Sequence, residues 1–328
     1  MKLVVGRWIT RTAGAMDIFV TGATGVLGRP VVRLLKAAGY RVRALSRSAS
    51  NDAMLRRMGA EPARGTLFDA AALGPAMAGT TAVLHLATRI PPRSRSRAPG
   101  AWAENDRIRT EGTRALVDAA LAGGVETLLY PGVCFVYADG GGAWIDAQTG
   151  EIEAGPLLAS TLAAEAEVRR FAAAGRRGIV LRMGYFYAPE AESTLDTLAL
   201  ARRGAAILAG PGDAFYPSIW VDDAAAAVLA ALRAAPAGVY DVVDDEPLTR
   251  RELARTVAEA AGRPFVVRPP VWLLKLAGGR EAGFLARSQR VSNARFRAAT
   301  GWAPAVRDAR EGWQRVSDAL RQPQPMGE

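Results

Sequence analysis

The sequence predicts a doubly wound parallel α/β sheet followed by a smaller, mostly helical C-terminal lobe. Short apolar runs alternate with segments in which apolar residues recur every three or four positions, which is the pattern of strands alternating with covering helices. A glycine-rich turn joins the first strand to the first helix at 22–28. Half of the 328 residues are apolar by type, so the chain can bury one or two packed cores and is not mainly disordered.

The elements follow one another in a regular order. Residues 1–15 fit no element, and we expect a disordered extension there. Strands are predicted at 18–20, 40–45, 81–86, 127–130 and 178–181, and helices at 26–38, about 101–121 and 162–173, with one more helix and strand at 222–243. We therefore predict a main sheet domain over 16–188 plus about 219–243, and a second lobe over 189–218 plus 244–328.

Composition excludes several classes of protein. One Cys and one His cannot form an intrachain disulfide or a structural zinc site, so no metal site is predicted. No apolar run approaches 18 residues, and Arg7 and Arg11 interrupt the N-terminal segment, which favours a cytoplasmic protein without membrane contact. The net charge is +10, but the cations are spread along the chain instead of forming one stripe. Nucleic acid is therefore not an expected partner.

The turn after the first strand reads Thr21-Gly22-Ala23-Thr24-Gly25-Val26-Leu27-Gly28. Gly22 permits the tight turn, Gly25 lets the backbone approach a pyrophosphate, and Gly28 allows the helix to pack closely on the strand. The strand before the turn and the helix after it supply the context that this motif requires. We predict a dinucleotide site whose contacts include these three glycines together with Thr21, Thr24, Val26 and Leu27.

The end of the second strand indicates which dinucleotide binds. Proteins that bind NAD usually carry an acidic residue there for the ribose 2′-hydroxyl, whereas this chain has Ser46-Arg47-Ser48. A guanidinium and two hydroxyls can hydrogen-bond to a 2′-phosphate that a carboxylate would repel. NADP is therefore favoured over NAD, with the alternative that Arg47 points into solvent and both are accepted.

Taken in order, these motifs resemble the extended short-chain dehydrogenase/reductase superfamily, in its NAD-dependent epimerase/dehydratase branch. The resemblance runs from Thr21 to about Trp313 and includes the segments Arg182–Pro189 and Trp220–Asp223. It implies a Rossmann fold and a small-molecule substrate. It further implies a homodimer that pairs through the helices at about 101–121 and 157–174. The resemblance also implies cofactor contacts for Asp69, which could instead only cap a helix, and for Leu86, Ala87, Thr88, Arg109 and Tyr185.

The chain departs from the family at its proton-transfer residues. A Tyr-x-x-x-Lys pair is absent, because Val32 and Val271 stand four residues before Lys36 and Lys275, and Lys2 has no such residue. By position, Leu157 replaces the family's Tyr and Thr161 its Lys. Val133 or Gly132 stands where the Ser would be, and Arg109 where Asn is usual. A reaction here needs another proton route, or none.

Two tyrosines are candidates for that route. Tyr137 follows the fifth strand and could serve as a substitute acid, although a Tyr in such a place more often serves only in packing. Tyr187 lies beside the expected nicotinamide site and is a weaker candidate, with lining the pocket as the alternative. We predict substrate contacts from Cys134, Trp144, Arg182, Tyr216 and Trp220. Cys134 could instead be a buried, unreactive core residue, and Arg182 could hold an anionic substrate or only pair with a carboxylate.

Three functions are compatible with these residues. The first is an atypical NADP(H)-binding oxidoreductase or epimerase that acts on a carbonyl, hydroxyl or imine group of a small metabolite with a non-standard proton donor. The second is a non-catalytic protein that senses the cofactor or regulates a partner. The third is a non-redox enzyme on the same scaffold.

Overall fold

A computed structural model describes residues 16–92, 95–96, 98–206, 210–267 and 286–321. Its main feature is a seven-stranded sheet. The seven strands are β1 Asp17–Thr21, β2 Arg41–Ser46, β3 Glu61–Arg64, β4 Ala82–His85, β5 Thr127–Val133, β7 Arg177–Met183 and β11 Gly238–Val242. They lie in the order β3-β2-β1-β4-β5-β7-β11, with every neighbouring pair parallel. The predicted doubly wound α/β fold is confirmed.

Helices cover both faces of this sheet, and others lie beyond it. The helices of the described residues are α1 Gly28–Ala37, α2 Ala49–Arg57, α3 Ala70–Ala76, α4 Ala103–Arg107, α5 Thr113–Ala122, α6 Gly155–Ala173, α7 Glu192–Arg202, α8 Val221–Ala234, α9 Arg250–Ala260, α10 Ala294–Thr300 and α11 Ala309–Arg321. On one face α1 packs against α8, and on the other α5 packs between α3 and α6. Each face has its own buried apolar core. Within the described ranges, no helix is long and apolar enough to span a membrane.

The strand order fixes where a ligand can bind. The chain winds outward from β1 to β3 in one direction and from β4 to β11 in the other. A crevice therefore opens between β1 and β4 at the carboxyl ends of the strands, which is where open parallel sheets bind ligands. One half of a dinucleotide would lie over β1 to β3 and the other over β4, β5 and β7.

Short strand pairs connect the remaining chain to the sheet. They are β8 Tyr185–Tyr187 with β10 Ser218–Trp220, β9 Phe215–Tyr216 with β12 Leu248–Thr249, and β6 Trp144–Ile145 with β13 Arg290–Val291. Beyond them, α7, α9 and α11 enclose a third apolar core. This region corresponds to the predicted helical lobe, and the exact domain boundaries remain a prediction.

Two predicted helices differ in detail from the structure. The helix expected at 101–121 consists of α4, one π-helical turn at Ile108–Gly112, and α5. The helix expected at 162–173 begins at Gly155, with Pro156 in the first turn, where proline is favoured. Residues 1–15, predicted to be a disordered extension, lie outside the described residues.

Candidate functional site

The glycine turn packs tightly against the end of β4. Gly22 has φ of +72°, and a Cβ there would lie 2.5 Å from the backbone of Leu86 and Ala87. A Cβ on Gly28 would lie 2.1 Å from the carbonyl oxygen of Gly22. Both positions therefore require glycine, which is the structural role that the sequence predicts for them.

Gly25 is different, because its backbone is not packed against β4. It is exposed, and the one heavy atom near an added Cβ would be the Gly22 carbonyl oxygen at 3.2 Å. Exposed Val26 and half-buried Thr24 flank it, while Leu27 is buried at the start of α1. This open backbone in front of a helix N-terminus fits a pyrophosphate.

The three predicted contacts at the end of β2 have different environments. The buried Ser46 hydroxyl donates to Asp52, and the Ser48 side chain caps α2 by accepting from the Asn51 amide. Arg47 is exposed, and its nearest acidic partner is Glu104, with 4.0 Å between nitrogen and oxygen. Of the three side chains, Arg47 is therefore the one available to a 2′-phosphate.

Asp69 caps a helix, as the alternative interpretation allowed. Its carboxylate accepts hydrogen bonds from the amides of Ala71 and Ala72 at the start of α3. It is exposed beyond the end of β3, and contact with a nucleotide stays a prediction. Leu86 is buried, and Ala87 and Thr88 are progressively more exposed along the segment that leaves β4.

Tyr137 lies in a buried network of charged groups. Its hydroxyl donates to Asp241 over 2.7 Å and accepts from Arg182 over 3.0 Å. Arg182 also binds both carboxylate oxygens of Glu165, at 2.7 and 3.0 Å. Burial raises the pKa of Asp241 to about 7, and Tyr137 and Arg182 oppose that rise. Both hydrogen-bonding directions of the phenol are used within the network, so Tyr137 has the environment of a structural residue.

Tyr187, the second proton-donor candidate, is part of the third apolar core. Its ring stacks on Trp313 and meets the edge of Trp220, and its hydroxyl donates to Asp244 and to the Asp308 carbonyl. Burial raises the pKa of the phenol well above its ordinary value. Trp220 is itself 8% exposed. Tyr187 and Trp220 therefore both belong to this buried core.

A second polar cluster lies at the carboxyl end of β4, level with the middle of β5. His85 bonds to the hydroxyls of Thr21 and Thr113, and its ring lies 5.8 Å from that of Tyr130. Burial, followed by the charge of Arg109, lowers the pKa of His85 to about 4, so the imidazole is neutral at pH 7. Arg109, predicted as a cofactor contact, lies in this cluster with 4% exposure.

An aromatic group borders the cleft beyond β5. The ring of Tyr216 lies 5.5 Å from that of Phe135 and 5.7 Å from that of Tyr185. All three are partly exposed. Trp144 stands apart, exposed on the surface beneath Arg290, and Cys134 is fully buried with its pKa raised well above the ordinary value by burial. Tyr185 and Tyr216 thus share one surface, which Cys134 does not reach.

Sequence reasoning missed some members of the site. Asp241 has no motif to mark it and joins Tyr137 from 104 residues away. Phe135 gave no signal beyond its place after a strand. Glu165 ends the stretch that holds Leu157 and Thr161 at the family's Tyr and Lys positions, and the sequence assigned it no role. Across the described residues, no group of three His, Cys, Asp or Glu side chains is arranged to hold a metal ion.

Fold and site together define a dinucleotide-binding α/β protein. Residues 18–243 match the NAD dependent epimerase/dehydratase family. The chain belongs to that family.

Two curated relatives are reductases by name. The 3-diazoavenalumate denitrifying reductase of a Streptomyces species is 32% identical over 90% of this chain and 99% of its own length. The 2-alkyl-3-oxoalkanoate reductase of Stenotrophomonas maltophilia is 30% identical over 76% of this chain and 77% of its own. Among solved structures, the UDP-glucose 4-epimerase of Thermus thermophilus, in complex with NAD, has a TM-score of 0.73 at 25% identity, covering 93% and 99% of the two chains.

Proposed function

We propose that this protein is an NADPH-dependent reductase of substrates whose reacting group is already positively charged, as a cationic diazo group is. The observation that carries the proposal is the environment of the two candidate acids. The hydroxyls of Tyr137 and Tyr187 are engaged inside the protein, and Leu157 and Thr161 replace the usual proton-transfer pair. An electrophile that is already positive accepts a hydride without a general acid.

The curated relative with the higher coverage, the Streptomyces reductase, supports this choice of substrate. Its name describes a reductase that removes nitrogen from a diazo compound. In the proposed reaction, bound NADPH supplies the hydride. The terminal nitrogen of R–N₂⁺ accepts it and becomes neutral R–N=N–H, which loses N₂ as its hydrogen passes to carbon. The products are R–H, N₂ and NADP⁺, so atoms and electrons balance without a proton from the protein.

This chain's residues have three tasks in that reaction. The open backbone at Gly25 holds the pyrophosphate, and Arg47 selects the 2′-phosphate. Phe135, Tyr185 and Tyr216 provide an aromatic surface for the substrate. We further propose a cytoplasmic homodimer that pairs through α5 and α6, which light scattering tests by comparing the measured mass with that of two chains.

The test compares two electrophiles. Purified protein is mixed with NADPH and either an arenediazonium salt or ethyl acetoacetate, and released N₂ and oxidised NADPH are counted. We expect one N₂ per NADPH with the diazonium salt, no turnover of the ketone, and no activity above the protein-free rate in Gly25→Val. Reduction of the ketone alone would overturn the proposal in favour of an oxoalkanoate reductase. Binding of NADPH without turnover of either compound would favour a cofactor sensor.

A further inference from the structure

The side chain of Arg109 is buried without a counter-charge. It is 4% exposed, and among the residues that the structure describes it forms no hydrogen bond or ion pair. Glu165, a carboxylate that neighbours the same cluster, is bound by both oxygens to Arg182. His85, which Arg109 influences directly, is neutral at pH 7. A buried cation that nothing compensates is costly, because its hydration is lost and no partner replaces it.

The groups around Arg109 are also incompletely bonded. Arg109 Nε and Asn105 Nδ2 are enclosed and have no hydrogen-bond partner. The Tyr130 and Thr161 hydroxyls are also buried, and they interact with each other. Asn105 and Arg109 are four positions apart in one helical segment and therefore share a face. Arg109 and Thr161 both act on the pKa of Tyr130, Thr161 through a hydrogen bond, which places these three residues in one cluster. Two enclosed N–H donors without partners, one of them on a buried guanidinium, mark a site rather than a packed core.

The chemistry of the cluster identifies its ligand. Arg109 and Asn105 offer only N–H donors through these atoms, and the bonded pair of hydroxyls has one hydrogen left to donate. The site therefore takes an oxygen acceptor, and the uncompensated guanidinium selects an anionic one. Through His85 the cluster lies at the carboxyl end of β4, level with the middle of β5, on the opposite half of the crevice from Arg47. The two phosphate-binding places are at the glycine turn and at Arg47, so a further anion at this end belongs to the substrate.

We propose that Arg109, supported by Asn105, binds a carboxylate of the substrate at the β4–β5 end of the cleft. The inference rests on the proposed function, because it places this carboxylate beside an electrophile that receives a hydride. The family resemblance leads one to expect a Lys on α6 where this chain has Thr161. The cation of this site is instead Arg109, from the π-helical turn, and it binds the substrate.

Stability provides the first test. Arg109→Met keeps the length of the side chain and removes the uncompensated charge, so we expect a thermal midpoint equal to or above that of the wild type. Arg114→Met, at an exposed position of α5, is the matched control. A midpoint well below both would show that Arg109 serves the fold, and would overturn the proposal.

Binding provides the second test. Cinnamate and cinnamamide have nearly the same size and differ in charge, and their affinities are measured by calorimetry with the protein saturated with NADP⁺ and again without nucleotide. We expect the wild type to prefer cinnamate at least tenfold, Arg109→Lys to keep part of that preference, and Arg109→Met to reduce it below threefold. An equal affinity of the wild type for both probes, or an unchanged preference in Arg109→Met, would overturn the proposal.

The affinity for NADPH separates the possible outcomes. We expect Arg109→Met to bind NADPH within twofold of the wild type. A large loss of NADPH affinity with an unchanged cinnamate preference would assign the guanidinium to the cofactor and overturn the proposal. Failure of the wild type to reduce a diazonium salt would remove the proposed function alone, since an Arg109-dependent preference for cinnamate would still establish the carboxylate site.

Discussion

Replacing Tyr137 by Phe removes one hydroxyl from the centre of a buried charged network. The hydroxyl donates to Asp241 and accepts from Arg182, and both partners are at least 95% buried. A hydrogen bond to a charged group contributes about 1.5–3 kcal/mol, and an enclosed partner left without one loses its desolvation free energy in full. With some relaxation of the network, we expect the free energy of unfolding to fall by about 3 kcal/mol.

The loss should depend on pH. The bond from Tyr137 lowers the pKa of Asp241 and therefore favours the carboxylate. Because that pKa is about 7, the carboxylate predominates at pH 8 and the acid at pH 5.5. The destabilisation is thus expected to be larger at pH 8.

Urea unfolding followed by circular dichroism measures this effect at the two pH values. Tyr40→Phe is the matched control, because the Tyr40 hydroxyl accepts a long hydrogen bond of 3.4 Å from the exposed Arg233 and its loss should change stability by less than about 0.5 kcal/mol. The structural interpretation is wrong if Tyr137→Phe unfolds like the wild type yet loses two or more decades of turnover with normal NADPH affinity. That combination would identify Tyr137 as the proton donor.

Three further perturbations address the cofactor site and the buried carboxylate. Arg47→Ala should reduce the ratio of NADP to NAD affinity about tenfold, because one exposed charged hydrogen bond is lost; equal ratios in calorimetry would contradict this. Gly25→Val should weaken NADPH binding at least about a hundredfold, since its side chain occupies the place of the pyrophosphate, and should lower the melting temperature only slightly, since its Cβ would lie 3.2 Å from the Gly22 carbonyl oxygen. Burial raises the pKa of Asp241 from 3.8 to about 7, so the folded state binds the extra proton and stability falls as pH rises through that window, by up to about 4 kcal/mol. Asp241→Asn should remove this part of the pH dependence in urea unfolding, and an unchanged slope would show that Asp241 titrates normally.

Local signals made the fold and the cofactor end predictable. The tight turn at Gly22 and the packing at Gly28 depend on neighbours that follow directly in the chain or in the next paired strand. The end of β2 could also be interpreted, because Arg47 follows a strand whose limits are clear from its apolar residues. Motifs of this kind carry their geometry within a few residues.

The substrate end could not be predicted in the same way. Whether Tyr137 faces the cleft or the core depends on Asp241 and Arg182, which come from β11 and β7. The sequence left two roles open for Arg182, and the structure shows the carboxylate pair with Glu165. Arg109 was predicted as a cofactor contact from its position alone. Its lack of a counter-charge became visible only when α4, α6 and the strands were assembled.

The contact of Tyr187 with Trp313 makes the core behind β8 depend on a helix far along the chain. Gly312 and Trp313 of α11 sit directly against the Tyr187 ring. The glycine turn depends on a different part of the chain, because α1 packs against α8. Loss of α11 would therefore open the region behind β8 while the elements that support the glycine turn stay in place.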